Sequence, residues 1–355
     1  MCCPLAEKGV PVVLVAPEQV QESPVQMSAW NPVIAKARRV KRIPLALRAA
    51  LREDADVYHF HDPELIFLGL TLKLLKPAAA VVYDVHEDYP SMMLVKHWLP
   101  KPLRPLISLA ARLANKGSGL CLDGIVTADP SVQREFQSVA GNKSIIYYNF
   151  PSPRLFNHTQ GELSEPEADL VYIGGMSARS GIFVLLDALS TLLRQGIRPT
   201  VRLAGYTDGE EGLRAIREGI ESRGLDGQVE LSGRIPHSQV PAWIRSGRIG
   251  LITLQPIAKF MKNIPSKLFE YWACGLPVIA SDLPPIRQFL SHRENGLLFD
   301  PSSSLDLARN IRWLMERPDQ GKEMGLRGSH QVYTAWNNDR QHDTLISFYK
   351  TICKK

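Results

Sequence analysis

The sequence lacks a long hydrophobic run, a cysteine framework and a recognisable leader. No stretch approaches the about 20 consecutive apolar residues that span a bilayer, and no signal peptide stands before the first predicted strand. The five cysteines are odd in number and contain no Cys-x-x-Cys pair, which argues against a disulfide framework or a zinc ribbon. We therefore expect a protein of the reducing cytoplasm. The adjacent Cys2 and Cys3 could accept a lipid, but no myristoylation pattern accompanies them.

Acidic residues are outnumbered by basic ones. The 355 residues include 42 Lys and Arg against 36 Asp and Glu, which gives a net charge of +6, and the pI is near 9.0. This balance favours anionic partners, namely phosphorylated substrates, acidic lipids or nucleic acid. No DNA- or RNA-binding module is recognisable, and aromatic residues do not interleave with the Arg cluster. We therefore expect no nucleic-acid partner.

Short β-branched runs, most of them separated by segments of helical period, recur through both halves of the chain. Apolar strands that alternate with amphipathic helices predict parallel sheets covered on both faces, and therefore the α/β fold class. The predicted strands are Val10–Ala16, Asp56–His61, Ala80–His86, Gly124–Thr127, Ser144–Asn149, Asp169–Gly174, Thr200–Ala204, Gln228–Leu231, Ile249–Leu254, Pro277–Ser281 and Gly296–Phe299.

The length of the chain favours two domains. The segment Phe150–Ala168 is rich in Pro and polar residues and lacks periodicity, so we interpret it as an interdomain linker. We predict an N-terminal Rossmann-like domain over 1–152 and a C-terminal one over 153–337, with 338–355 packing back on the first. Ligands of open parallel sheets bind beyond the carboxyl ends of the strands. Two such sheets facing one another would form an interdomain cleft.

The segment Ile264–Gly275, IPSKLFEYWACG, has the features of a short helix that binds an anion. Ser266 is a possible N-cap and Gly275 a stop near the C-cap. The helix N-terminus would present N–H groups and a positive dipole end, which suits a diphosphate. Lys267 is poorly placed for the dipole unless an anion lies there, and Glu270 could accept both hydroxyls of a ribose. The spacing alone does not distinguish such an anion-binding helix from a plain amphipathic helix in which Lys267 and Glu270 are solvated.

The longer segment Pro265–Asp282, PSKLFEYWACGLPVIASD, closely resembles the signature of glycosyltransferase family four, whose members have the GT-B fold and retain anomeric configuration. The resemblance implies that Glu270 binds the ribose of a nucleotide diphosphate sugar. Further matches follow in family order at Leu170–Ala188, Val201–Gly205 and Val229–Pro236, so that the resemblance covers nearly the whole chain.

The resemblance also implies the remaining donor contacts, with the nucleobase lying against Arg234 and Ile235. The candidate donor-binding residues are Gly174, Gly175, Arg179, Gly205, Arg234, Ile235, Ser266, Lys267, Leu268 and Glu270. We expect no cofactor and no metal requirement.

Three positions depart from the family pattern. Lys262 stands where a first glutamate is common, eight positions before Glu270. Gly175 and Ser180 stand where an Arg and a Lys often hold the donor diphosphate. Arg179 is one residue away and could substitute, because its guanidinium can bind phosphate through two nitrogens.

Two predicted strand ends in the first half carry histidines beside acidic residues. His61 and Asp62 follow one strand, and His86 and Glu87 follow the other. The resemblance implies that His86 lines the sugar site beside the reacting carbon and orients the transferred sugar. We assign His61, Asp62 and Glu87 to the acceptor side. The His-x-His pair that begins at His59 could bind a metal, but nothing nearby in the sequence completes a ligand set.

Retention in the family is usually explained by same-face attack, with the leaving phosphate helping to deprotonate the acceptor. The protein then positions the substrates and stabilises the departing diphosphate. A double displacement would require a carboxylate nucleophile, for which Glu87 and Asp88 are the nearby candidates.

The stretch Lys36–Arg52 carries seven basic residues and no acidic one, with a break expected at Pro44 and a partly apolar helical face after it. It predicts either a solvated basic helix or a contact with an anionic membrane surface. A second basic stretch, Lys96–Arg112, combines Trp98 with an apolar helix. Both lie in the predicted acceptor domain, which would fit a lipid-linked acceptor at the inner face of the membrane.

The sequence therefore predicts a retaining transferase of the hexosyl type that moves sugar from a nucleotide diphosphate sugar to a glycan or lipid-linked acceptor. Two other functions stay open: a GT-B-shaped sugar-nucleotide epimerase and a catalytically weak nucleotide-sugar-binding protein. Family members begin with a further strand and Gly-rich loop before the segment that Leu5–Pro17 resembles, so we expect such a segment upstream. The aromatics of Ser329–Tyr349 are expected at an interface and not in the site.

Overall fold

The computed structural model describes residues 2–17, 26–30, 39–95, 99–156 and 165–353. Residue contacts divide the chain into two compact units. Unit 1 comprises Met1–Asn149 and Asp339–Lys355, and unit 2 comprises Phe150–Asn338.

Unit 1 contains two parallel sheets. The strands β1 (Val13–Pro17) and β2 (Gln26–Trp30) pair with each other. The second sheet has the order β3-β4-β5-β6, with all neighbours parallel. Its strands are β3 (Val57–His61), β4 (Ala80–Val85), β5 (Gly124–Thr127) and β6 (Ser144–Ile146). The helices are α1 (Cys2–Glu7), α2 (Arg39–Arg52), α3 (Ile66–Leu75), α4 (Tyr89–Val95), α5 (Arg104–Cys121), α6 (Pro130–Ala140) and α15 (Asn338–Ile352).

The central strand β4 explains why this sheet is covered on both faces. Every residue of β4 is buried, as the unbroken apolar run predicts for a parallel strand between two helix layers. Val81 and Tyr83 pack in one core with residues of α3 and α6. Ala80 and Val82 pack in the other core with α1 and α15.

Unit 2 contains one parallel sheet of order β12-β11-β10-β7-β8-β9. Its strands are β7 (Ala168–Met176), β8 (Val201–Thr207), β9 (Val229–Gly233), β10 (Gly247–Ile252), β11 (Val278–Ser281) and β12 (Leu297–Phe299). The helices are α7 (Pro153–Phe156), α8 (Ile182–Arg194), α9 (Gly209–Glu221), α10 (Val240–Arg245), α11 (Ser266–Ala273), α12 (Pro284–Arg287), α13 (Ser304–Met315) and α14 (Pro318–Thr334).

The predicted α/β class with two parallel-sheet domains is confirmed. Each predicted strand is present with ends shifted by a few residues, while β2, whose sequence QMSAW has no β-branched residue, was not predicted.

Two local predictions were wrong. Pro44 lies inside α2, beyond its first turn, and does not end the helix; its missing N–H removes a single backbone hydrogen bond of the helix. The interpretation of Phe150–Ala168 as a linker fails at both ends. Phe150 and Phe156 are buried, the latter in α7, and Ala168 begins β7. Residues 157–164 lie outside the described part of the chain.

Candidate functional site

Helix α11 lies within Ile264–Gly275, the segment in which the sequence predicts an anion-binding helix. It begins at Ser266, with Pro265 in the N-cap position, so the prediction that Ser266 is the N-cap was wrong. The extended backbone of Pro265 (φ −76°, ψ 118°) turns the chain into the helix without a side-chain cap. At the other end Gly275 has φ +79°, the left-handed conformation that glycine favours after a helix.

Lys267, in the first turn of α11, points back onto strand β7. Its Nζ lies 3.9 Å from the centroid of the Tyr172 ring, and a Cβ placed on Gly174 would lie 3.2 Å from the same nitrogen. Burial lowers the pKa of Lys267 to about 7, although Glu270 opposes the shift. Lys267 therefore carries an amino group whose charged form is poorly solvated.

Glu270 lies one turn further along α11. Burial raises the pKa of its carboxyl group, while His237, Lys267 and Ser266 act in the opposite direction. His237 begins the short 3-10 helix after β9 and is not among the site residues predicted from the sequence. Leu268, between Lys267 and Glu270, has a fully buried side chain, so only its backbone could face a ligand.

Gly174 and Gly205 let the ends of β7 and β8 approach closely. They are partners in the parallel register, and their φ angles are +131° and +140°. A Cβ on Gly205 would lie 1.8 Å from the carbonyl oxygen of Gly174. Neither position accepts a side chain in this backbone conformation. Gly175 is held by a hydrogen bond of 2.6 Å that Tyr172 Oη donates to its carbonyl oxygen.

A cavity of 380 Å³ opens at the carboxyl ends of β7, β8 and β9. Its lining residues are Met176, Gly205, Tyr206, Thr207, Leu213, Arg217, Leu231, Gly233 and Arg234. The Arg234 guanidinium carbon lies 5.7 Å from the centroid of the exposed Tyr206 ring, an arrangement of aromatic and planar cation that suits a nucleobase. Ile235 follows Arg234 in the chain but is not part of this lining.

Arg179 lies in the turn between β7 and α8. Its side chain is 60% exposed, and Nη2 lies 3.6 Å from a carboxylate oxygen of Asp208, which follows β8. The turn is fixed by Gly181, where a Cβ would lie 1.7 Å from the carbonyl oxygen of Thr253, and by the hydroxyl of Thr253, which donates to the carbonyl of Ser180 at 2.7 Å. Arg179 thus lies at the same sheet edge as the two glycines.

In unit 1, the parallel register of β3 and β4 brings three histidines around Asp84. His61 pairs with Asp84 in the register, and Asp84 Oδ2 lies 3.3, 3.1 and 3.5 Å from ring nitrogens of His59, His61 and His86. His61 Nδ1 lies 2.9 Å from His86 Nε2. Burial raises the pKa of the Asp84 carboxyl group, but hydrogen bonding to His59 and His61 and the charge of His59 and His86 prevail and hold it below its ordinary value.

This cluster is the one part of the described chain whose histidines and carboxylate could hold a metal ion. The ligand atoms of His59, His61 and Asp84 lie within 4.8 Å of one another. In the sequence only the His-x-His pair is apparent, because Asp84 joins the two histidines through the pairing of β3 with β4. The Tyr349 hydroxyl contacts His59 Nδ1, so at least one aromatic of the C-terminal stretch lies beside the candidate site and not only at an interface.

Asp62 and Glu87 follow the ends of β3 and β4. Asp62 has φ +70°, an uncommon conformation for a residue other than glycine, and its Oδ1 accepts a hydrogen bond of 3.0 Å from the Tyr89 hydroxyl. Glu87 is partly exposed next to His86. Asp88 is buried, and its carboxylate accepts from the backbone N–H and the hydroxyl of Ser91, which gives this proposed nucleophile a capping role on α4.

Family models match both halves of the chain. Residues 1–150 match the model described as Glycosyltransferase Family 4, and residues 154–331 match the model described as Glycosyl transferases group 1. Together with two parallel-sheet α/β units, these matches define a glycosyltransferase of the GT-B type. The chain belongs to glycosyltransferase family four, as the sequence resemblance predicts.

Two curated relatives give the range of similarity. The chain is 26% identical over 308 residues to the D-rhamnosyltransferase WbpZ of Pseudomonas aeruginosa, a match that covers 80% of this chain and 71% of that protein. It is 27% identical over 187 residues to the amylovoran biosynthesis glycosyltransferase AmsK of Erwinia amylovora, covering 52% and 45% of the two chains.

Solved structures show the same fold at low identity. Anabaena Alr3699/HepE in complex with UDP and glucose superposes with a TM-score of 0.73 at 15% identity, covering 99% of this chain and 95% of that one. Sucrose-phosphate synthase from Thermosynechococcus elongatus has a TM-score of 0.73 at 16% identity, covering 99% and 91%.

Proposed function

We propose that this glycosyltransferase moves a sugar from a nucleotide diphosphate sugar to a glycan or lipid-linked acceptor, with retention of anomeric configuration, in polysaccharide biosynthesis. The observation that carries the donor assignment is the placement of Lys267 against Gly174 and Tyr172, one turn from Glu270. The names of relatives from Pseudomonas and Erwinia support a polysaccharide pathway. A structural neighbour that binds UDP and glucose supports the donor class.

In this proposal the donor lies along the carboxyl edge of the unit 2 sheet. The base enters the cavity beside Tyr206 and Arg234, and the Glu270 carboxylate accepts from the ribose hydroxyls. The diphosphate lies beside Gly174 and Gly175, next to the Lys267 amino group that approaches Gly174, and is neutralised by Lys267 and Arg179. Since protein cations neutralise the diphosphate, we propose that transfer requires no metal ion.

The transfer step needs no protein nucleophile. The acceptor oxygen forms a bond to the anomeric carbon while the bond from that carbon to the diphosphate oxygen breaks, with its electron pair passing to the phosphate. The acceptor proton moves to the departing phosphate, and attack on the face from which the phosphate leaves retains the configuration. Stabilisation of the departing charge by Lys267 and the α11 N–H groups is the main catalytic contribution.

We assign His86 to the transferred sugar. Its ring is partly exposed, while the Asp84 carboxylate beneath it is buried, so the carboxylate and the His61 ring fix its orientation. His86 would donate a hydrogen bond to a sugar hydroxyl and hold the anomeric carbon in place. Asp62, His61 and Glu87 would contact the acceptor or the sugar from the same sheet edge of unit 1.

The proposal is tested by incubating the protein with UDP-, GDP- and dTDP-sugars and with oligosaccharide or lipid-diphosphate acceptors. Appearance of free nucleoside diphosphate together with an extended acceptor supports it, and NMR coupling constants of the product give the anomeric configuration. An inverted product would contradict the retaining mechanism. An altered sugar nucleotide without any acceptor would instead identify an epimerase, and binding without turnover would identify a nucleotide-sugar-binding protein.

A further inference from the structure

Helix α5 of unit 1 has its polar and apolar sides reversed. The residues that it buries are Ser108, Asn115, Ser118 and Gly119. The leucines that it exposes are Leu106, Leu109, Leu113 and Leu120, with exposed fractions of 52 to 64%. A surface helix of a globular protein normally places leucines toward the core. The core of unit 1 therefore does not explain the leucines of α5.

The buried side of α5 is adapted to its polar residues. The hydroxyl of Ser108 donates to the carbonyl of Pro90 at 2.8 Å, and the hydroxyl of Ser118 donates to the carbonyl of Asn115 at 2.8 Å. These hydrogen bonds satisfy the two hydroxyls, and small side chains allow α5 to pack closely on its neighbours. The Ser108 hydrogen bond joins α5 to Pro90 of α4 on the side opposite the leucines, whereas the Ser118 hydrogen bond lies within α5 and Asn115 Oδ1 is buried without a hydrogen-bond partner among the described residues.

The exposed leucines form one narrow stripe with a cationic border. At about 100° per residue, the four positions fall within about 60° of the helix circumference. Arg112 and Lys116 are exposed beside this stripe, and α5 contains no acidic residue. Leu103, immediately before α5, is 46% exposed.

Helix α3 enlarges the same surface. It packs against α5, and both helices contribute to the core on one face of the four-stranded sheet. Phe67 and Leu74, two turns apart on α3, are 78% and 79% exposed. We call the exposed side chains of α3 and α5 together the leucine face.

Helix α2 contains most of the basic stretch for which the sequence predicts either a solvated helix or a membrane contact, and it adds charge to this side of unit 1. Its apolar residues Ile43, Leu47 and Leu51 pack on the core of unit 1, so that face is not available to a membrane. Arg48 and Arg52 are exposed and add positive charge next to α3, on which α2 packs. Residues 36–38 of the basic stretch lie outside the described part of the chain.

We propose that the leucine face lies on an anionic lipid bilayer, with the leucines and Phe67 entering the interface and Arg112 and Lys116 contacting lipid phosphates. This surface would bring the enzyme to the lipid-linked acceptor of the proposed function, but vesicle binding does not depend on sugar transfer. Among the described residues no helix is long and apolar enough to cross a membrane. A second copy on this face would bring two cationic borders together without an acidic partner, which disfavours self-association.

The test is co-sedimentation of the full chain with phosphatidylcholine vesicles that contain 0 or about 30% phosphatidylglycerol, a range in which surface charge controls peripheral binding. We expect the anionic vesicles to bind at least about tenfold more tightly, and Leu109→Ser with Leu113→Ser to remove at least about tenfold of that affinity. The matched control is Leu305→Ser with Leu326→Ser, two leucines of unit 2 that are 61% and 54% exposed, which should bind as the unchanged chain does.

Equal binding by the Leu109/Leu113 variant and the unchanged chain, or no binding of the unchanged chain to anionic vesicles, would overturn the proposal. Light scattering on the same samples tests whether a second copy of the chain occupies the leucine face. If the unchanged chain is a dimer and the Leu109/Leu113 variant is a monomer, the leucine face is a dimer interface and the membrane contact is contradicted. Nucleotide binding by that variant is measured in parallel. If nucleotide binding persists while vesicle binding is lost, the leucine face binds vesicles independently of the donor site.

Discussion

Replacing Lys267 with methionine should stabilise the protein while removing donor binding. The pKa of Lys267 is about 7 in the folded protein, against an ordinary value of 10.5. At a pH between these two values, the amine is mostly neutral in the folded protein and mostly protonated in the unfolded chain. Within this range the unfolded state binds more protons, and the stability of the unchanged protein must rise with pH. Below pH 7 the ammonium is charged in both states and its desolvation opposes folding fully.

The magnitude follows from the size of the shift. A shift from 10.5 to about 7 corresponds to a destabilisation of as much as about 4 kcal/mol at pH 7 and about 2 kcal/mol at pH 9. Contact of Nζ with the Tyr172 ring, 3.9 Å away, offsets about 1–2 kcal/mol of this cost. Lys267→Met keeps the packing volume and removes the charge. We expect it to stabilise unit 2 by about 1–3 kcal/mol at pH 7, and by less at pH 9.

The assay is thermal unfolding followed by near-UV circular dichroism, because the rings of Trp272 and Trp336 stack with centroids 5.6 Å apart in unit 2. A gain of about 2 kcal/mol corresponds to a rise in Tm of about 4–8 °C for a unit of this size. Lys322→Met, at an exposed position of α14, is the control and should change Tm little. A Tm for Lys267→Met that is lower than that of the unchanged protein at pH 7, or a stability difference that grows with pH, would refute the reasoning.

Four further predictions concern the reaction. Glu270→Ala should weaken binding of a ribonucleoside diphosphate about 10- to 100-fold, since hydrogen bonds to a charged group are lost. It should leave binding of the corresponding 2′,3′-dideoxy compound, which has neither hydroxyl, nearly unchanged, and equal losses for both compounds would remove Glu270 from the ribose. Arg179→Ala should nearly abolish transfer, by about 100-fold or more, and unchanged turnover would remove Arg179 from the diphosphate site. His86→Asn should lower kcat by about 100-fold with little change in donor affinity. EDTA should leave turnover unchanged, whereas a loss that Zn²⁺ restores would show that the cluster of His59, His61 and Asp84 holds a metal.

The strand pattern and the short helix α11 could be predicted because their signals are local. The apolar run of β4 predicts a strand buried on both faces, and Gly275 marks the end of α11 where the chain needs a positive φ angle. The family resemblance then implies that Glu270 belongs to the candidate site. These features depend on neighbours within a few residues of one another.

Other parts of the candidate site depend on contacts between distant segments, which periodicity does not reveal. Tyr172 meets Lys267 across about ninety-five positions of sequence, and His237 approaches Glu270 from the loop after β9. Asp84 joins the histidines because β3 and β4 pair in one particular register. In α5 a local signal misleads. A stripe of leucines at helical spacing predicts a buried face, but the leucines of α5 are exposed.

The central claim is that unit 2 binds a nucleoside diphosphate through Lys267 and Glu270. Isothermal titration of UDP and GDP into the unchanged protein, Lys267→Met and Lys322→Met tests it most directly. We predict that at least one of the two nucleotides binds the unchanged protein and Lys322→Met with equal affinity, and that Lys267→Met weakens that binding at least about tenfold. Absence of binding of both nucleotides to the unchanged protein, or equal affinity for Lys267→Met, would contradict the account.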